Sequence, residues 1–170
     1  MNENQKTRKA KTFEQRVKAM TAPNIILAMV RGLRRQWVKV DMNSYGHAVN
    51  GTCYGCAATN AVCEIAKKSF PPDSILDTEV RAMFVNSDFD FMDWFESAIN
   101  VLRKGDVESY NRAAGRIGIA KIVLPASFPK LPYLHSYDLE ENLPAYEALA
   151  KAQYSRAEDK KGNHKMIKVK

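Results

Sequence analysis

Three cysteines, Cys53, Cys56 and Cys63, fall within eleven residues of one another in the stretch from Asn50 to Lys68. Thiols this close could hold a metal, exchange electrons or attack a carbonyl. A zinc ion wants four nitrogen or sulfur ligands, and His47 is the fourth candidate, at spacings of five, two and six intervening residues. If Cys56 and Cys63 share a helix, their seven-residue separation is about 10 Å along the axis. The sulfurs around one zinc lie within about 4 Å of each other, because each Zn–S bond is about 2.3 Å. Cys63 is therefore a poor fourth ligand, and neither a metal nor any other cofactor is expected. Redox chemistry has a better local cue, since Cys53-Tyr-Gly-Cys56 is a C-x-x-C at an expected helix start, where the helix dipole favours a thiolate. The alternating strands and helices of a thioredoxin-like domain do not accompany it.

The third chemistry is nucleophilic. The nine residues Asn50-Gly51-Thr52-Cys53-Tyr54-Gly55-Cys56-Ala57-Ala58 resemble the segment around the nucleophile of papain-like cysteine peptidases. In that family an amide side chain lies six residues before a cysteine at a helix start. The resemblance implies Cys56 as nucleophile, Asn50 as oxyanion-hole amide and Cys53 as the preceding cysteine. It departs from the family at Ala57, where an aromatic residue is usual, and at Asn50, which replaces glutamine. A thiol nucleophile also needs a histidine base and a group to orient it. Downstream of Cys56 only His135, among prolines, and His164, among lysines, are available.

The fourth reading is structural. Gly55, Cys56, Ala57, Ala58 and Ala61 are small, and a buried cysteine behaves as a compact hydrophobe. Cys56, Asn60 and Cys63 make one stripe of a helix, and Ala58, Val62 and Ile65 the next. A closely packed helix is the expectation, with Trp37 and Trp94 as neighbours.

The elements around it are mostly helical. Thr21 and Pro23 open a helix in which Ile25, Ile26, Met29, Val30, Leu33 and Trp37 share one face, and it ends near Gln36. Arg31, Arg34 and Arg35 fall on the opposite face, available to carboxylates or phosphates. Trp37 to Val40 reads as a short extended piece and Asp41 to Gly51 as a polar connector. Pro71 and Pro72 stop the cysteine helix, and Ser74 with Asp77 reads as a capping box for a short helix through Met83. Asp90 opens the strongest helix, with Phe91, Trp94, Phe95, Ala98, Ile99 and Leu102 at helical spacing and Gly105 as its stop. Asp106 caps the next, which carries Val107, Tyr110, Ala114 and Ile117 and closes at Gly118, so the two form a helical hairpin. Asn111, Arg112 and Arg116 would be the reading side chains of a helix-turn-helix, but Asp88, Asp90, Asp93 and Glu96 on its first helix would repel phosphate.

Pro125, Pro129 and Pro132 make an extended strap, whose Pro129-Lys-Leu-Pro132 could also serve as a polyproline ligand. A last helix is expected from near Asn142, with Pro144 in its first turn and Leu143, Tyr146, Leu149 and Ala150 on one side. The sum is a mostly α, compact single-domain bundle of about five to seven helices. A basic leader (1–20) precedes the helical domain (21–157), and a basic tail (158–170) follows it.

The chain of 170 residues has the apolar and charged content of a globular domain. Its longest apolar run, Ile25 to Val30, is far below the roughly 20 residues a bilayer requires. No signal-like apolar segment is seen, and three cysteines do not pair off as a disulfide framework, so a cytoplasmic protein with reduced thiols is expected. Charge is unevenly spread: residues 1–39 hold ten Lys or Arg against two acids, 40–100 three against nine, and 101–170 thirteen against eight. Basic ends around an acidic middle point to binding by charge. The expected function is that of a non-catalytic interaction or regulatory protein with a protein partner, a description that fits a mobile-element accessory protein. It would engage the partner through Arg31, Arg34 and Arg35 or through Asp88, Asp90 and Asp93. A thiol enzyme using Cys56 is the alternative. Nucleic-acid binding is a further one, although no basic segment interleaved with aromatics is seen.

Overall fold

The computed structural model describes residues 11–67, 69, 85–86, 89–119, 121–122, 130–152, 156–158 and 164–166. Helix α1 (Phe13–Lys18) lies in the stretch expected to be leader. Thr12 and Gln15 form a reciprocal capping box, and Val17 is buried while the ring of Phe13 meets that of Phe91 at 5.7 Å. The packed chain therefore begins before Thr21.

Helix α2 (Ala22–Arg35) is the axis of the packing. Thr21 is its N-cap, Pro23 sits in the first turn where its missing N–H is harmless, and Gln36 ends it in a left-handed conformation. Ile25, Ile26, Met29, Val30 and Leu33 are at most 2% exposed, the face that the periodicity predicts. After it come three short strands, β1 (Lys39–Val40), β2 (His47–Val49) and β3 (Thr52–Gly55), in the order β1-β3-β2. Strand β3 runs antiparallel to β2 and parallel to β1. The connector expected between Asp41 and Gly51 is thus half hairpin, and Cys53 stands on a strand. Asn50 and Gly51 both have positive φ, 49° and 73°, as a two-residue type I′ turn demands.

Helix α3 (Ala57–Ala66) starts one residue after Cys56, and Ala57 through Ile65 are all buried. It crosses α2 at Gly32, where a Cβ would lie 2.6 Å from the carbonyl carbon of Asn60 and closer still to its oxygen. A two-stranded pair, β4 (Val85–Asn86) and β5 (Phe89–Asp90), precedes α4 (Phe91–Lys104) and α5 (Val107–Arg116). Gly105, at φ 71°, turns the chain between these helices, and the Asp106 carboxylate accepts the Ser109 N–H at 3.1 Å. The cap's bonds to Ser109 hold the Asp106 carboxyl below its usual range. In the core between the two helices lie the Trp94 indole and the Tyr110 phenol, both fully buried.

Of the strap, Pro125 and Pro129 lie outside the described residues. Residues 130–135 run in neither helix nor strand, with the Leu131 N–H donating to Leu102 O at 2.8 Å and the Tyr146 hydroxyl to Pro132 O at 2.5 Å. Helix α6 (Leu139–Lys151) begins three residues before Asn142, so Pro144 is inside it, on an exposed side, where the helix tolerates one missing bond. It packs against α2. Strands β6 (Arg156–Glu158) and β7 (His164–Met166) form an antiparallel pair. The helix expected from Ser74 to Met83 lies outside the described residues. Among the described residues, six helices, one small three-stranded sheet and two two-stranded pairs make this a compact, mostly α fold.

Candidate functional site

Two of the three arginines on α2 are engaged by its neighbours. On one flank the Glu64 carboxylate of α3, 3% exposed, accepts from Trp37 Nε1 at 2.8 Å, from Arg35 Nη1 at 3.2 Å and from the Lys67 ammonium. Burial alone would raise its pKa. The hydrogen bonds from Lys67 and Trp37, with the charges of Lys67 and Arg35, outweigh that and keep it below the usual value. On the other flank the Glu147 carboxylate of α6 binds the Arg34 guanidinium and the Lys151 ammonium, the latter at 2.6 Å. Its carboxyl is lowered first by the Lys151 hydrogen bond and then by that of Arg34. Arg31, one turn earlier, is exposed and has no ion-pair partner among the described residues. Arg31, Arg34, Arg35, Lys67 and Lys151 together set five cations against two carboxylates. The result, among the described residues, is a cationic ridge along α2 with three positive charges in surplus.

The acidic candidates are arranged differently. Asp93 pairs with Arg116 of α5. Asp88 and the side chain of Asp90 lie outside the described residues. Asn111, a candidate DNA-reading residue, instead clamps the following chain: its Oδ1 accepts the Ile122 N–H at 2.7 Å and its Nδ2 donates to Ile122 O at 2.9 Å.

Cys56 is the N-cap of α3 and lines a cavity of about 440 Å³ with Ser44, Phe95, Glu96, Asn100 and Arg103. It is 9% exposed, and its Sγ lies 3.7 Å from Thr59 Oγ1, whose hydroxyl donates to Tyr45 O. The helix start that the peptidase resemblance implies is therefore present. Its partners are not assembled around it. Asn50 is at the tip of the β2–β3 hairpin, roughly 15–20 Å from Cys56 along the strand. Among the described residues that line the cavity there is no histidine. The imidazole of His47 stacks on Tyr54 at 5.1 Å, and its contacts with Ser44 Oγ (3.2 Å) and Asp41 Oδ2 (3.8 Å) both fall on Nδ1, so it cannot relay a proton between them. As strand neighbours, Cys53 and Tyr54 point to opposite faces, and His47 lies opposite Tyr54, so His47 and Cys53 do not converge. Among the described residues no three of His, Cys, Asp and Glu are grouped to hold a metal ion.

The three thiols are graded by depth: Cys53 is half-buried, Cys56 is nearly covered and Cys63 is completely so. Iodoacetamide added to the folded protein is expected to alkylate Cys53 first and Cys63 only on unfolding, as followed by peptide mass mapping. Labelling of Cys56 at the rate of an unfolded-chain thiol would show instead that the cavity exposes a reactive sulfur.

One arrangement was not anticipated. Tyr133, His135 and Tyr137 alternate along the irregular segment and turn that lead into α6, and they form a ladder of rings with centroid separations of 4.8 and 5.0 Å. The Arg103 guanidinium of α4 covers the Tyr133 end at 4.4 Å. A spacing of two in ring-bearing residues was the available signal, but the arginine comes from a distant helix.

The chain matches no family model, no curated protein and no solved structure. Among the described residues no helix is long and apolar enough to cross a membrane. Fold and site together define a small, mostly helical protein with a buttressed cationic ridge.

Proposed function

We propose that this chain is a non-catalytic interaction protein whose α2 ridge docks an acidic surface of a protein partner. The observation that carries the proposal is that Glu64 and Glu147 each hold two cations, so that Arg34 and Arg35 are positioned before a partner arrives. Ordering a long side chain on binding costs about 0.5–1.5 kcal/mol. The ridge reduces that cost for two arginines and still offers three surplus charges. Its guanidinium groups suit carboxylates, which they can grip by two parallel hydrogen bonds. The interspersed carboxylates favour a protein surface of mixed charge over a continuous row of phosphates.

Arg31 gives the cleanest test because it takes part in none of the internal pairs. Capture of the partner from native lysate by the Arg31→Glu variant should fall about tenfold or more, the equivalent of about 1.4 kcal/mol, with thermal unfolding unchanged. Equal capture by both proteins would sink the ridge proposal. Loss of the captured material on nuclease treatment would transfer the ridge to nucleic acid.

A further inference from the structure

The ring ladder has one closed end and one open end. Arg103 covers Tyr133, whereas Tyr137 at the other end is 84% exposed, with one ring face stacked on His135 within 5° of parallel. The outer part of this surface adjoins a cleft of about 590 Å³ lined by Lys39, Tyr54, Tyr137, Asp138, Glu140 and Glu141. Lys39 Nζ already lies 5.9 Å from the Tyr54 ring centroid. Basic side chains of the molecule itself thus sit over two of the rings in this region. Among the described residues that line the cleft, three carboxylates against one ammonium leave two negative charges in surplus.

These features favour one ligand chemistry. The face of a tyrosine ring is the negative end of its quadrupole and attracts a cation. Asp138, Glu140 and Glu141 add to that attraction, and the same carboxylates repel a phosphate. A sugar or neutral base would stack but gain nothing from the charge. A guanidinium is planar, stacks on a ring and has hydrogen bonds to give to the surrounding carboxylates.

We infer that this cleft receives an arginine side chain of a protein partner, its guanidinium laid against the open face of Tyr137. The inference shares with the proposed function only the premise that the partner is a protein, since no cleft residue belongs to the α2 ridge. The probe is the peptide acetyl-Gly-Arg-Gly-amide, titrated into the full chain while the tyrosine ring resonances are followed by NMR. Saturable shifts of the Tyr137 ring are expected, with a dissociation constant in the millimolar range and weakening in salt. Tyr137→Ala, followed through the Tyr54 ring that also lines the cleft, should weaken binding about fivefold or more, as should the double variant Glu140→Gln with Glu141→Gln. Arg31→Glu should leave peptide binding unchanged even where it abolishes partner capture, which separates failure of the cleft from failure of the ridge. The inference is overturned if acetyl-Gly-Gln-Gly-amide shifts Tyr137 equally, if uridine monophosphate or methyl glucoside binds there in preference, or if both variants bind the arginine peptide as well as the parent chain.

Discussion

Gly32→Ala is expected to destabilise the protein by about 2 kcal/mol, although alanine is the better helix former. In an open helix the change would gain about 1 kcal/mol. At Gly32 the added methyl group would meet the backbone carbonyl of Asn60, which no side-chain rotation can move aside. Forcing extra volume into a packed contact costs about 1–3 kcal/mol and sometimes more, and this is a backbone-to-backbone contact. The strain would spread to the groups that the crossing aligns, among them the Asn60 amide, which donates to Cys56 O and accepts the Val38 N–H. For a domain of this size the melting temperature should fall by roughly 4–8 °C. Gly115→Ala is the internal control. It lies within α5, its Cβ would meet nothing within 4 Å, and the change should raise stability by up to about 1 kcal/mol. Opposite signs in thermal or urea unfolding are the expected result. A Gly32→Ala protein as stable as its parent would mean that α2 and α3 do not approach this closely.

Alkali should unfold the protein well before it affects the peptide chain. The phenols of Tyr110 and Tyr146 are fully buried, and burial pushes the pKa of each up to about 12. Smaller influences act downward, the Trp94 indole on Tyr110 and the Arg103 charge on Tyr146. In the unfolded chain both groups ionise near pH 10. The folded protein thus keeps two protons that the unfolded chain has lost. Their contribution is complete below pH 10 and disappears as pH rises from 10 towards 12. At about 1.4 kcal/mol per pKa unit, each phenol accounts for roughly 2–3 kcal/mol, and the pair for much of an ordinary domain's stability. Absorbance at 295 nm should reveal two of the seven tyrosines ionising together with the loss of helical circular dichroism. Tyr146→Phe removes the hydrogen bond to Pro132 O, yet it should reduce the steepness of the alkaline loss by about half. Seven phenols titrating near pH 10 with the helices intact would contradict this account.

The parts of the fold that were legible in the sequence are those determined locally. The apolar faces of α2 and α4, the Gly105-Asp106 turn and the cap on Asp106 follow from periodicity and from the chemistry of helix ends. Two further local signals stand in the sequence. Thr12 followed by Gln15 is a capping box, and Asn50-Gly51 is the best short indication of a hairpin, which puts Cys53 on a strand and sets Asn50 apart from Cys56. Helical spacing put Arg31, Arg34 and Arg35 on one face, but it could not reveal that Glu64 and Glu147 would pin two of them. Those partners arrive from other elements, Glu147 from 113 residues further on. The same is true of Arg103 on Tyr133. Side-chain type and local period are written in the sequence, whereas the meeting of distant charges depends on packing that periodicity alone does not specify.

The packing of α2 against α6 also imposes an order in time. At about 5–20 residues per second, translation from Arg34 to Glu147 occupies roughly 6–23 seconds. During that interval α3 can already lie across Gly32, while the side of α2 that receives α6 is still open to water. The residues of the central helix are therefore synthesised well before those that cover one of its sides. Closure of that side by α6 can follow only once its buried residues Leu143, Tyr146 and Ala150 have been made.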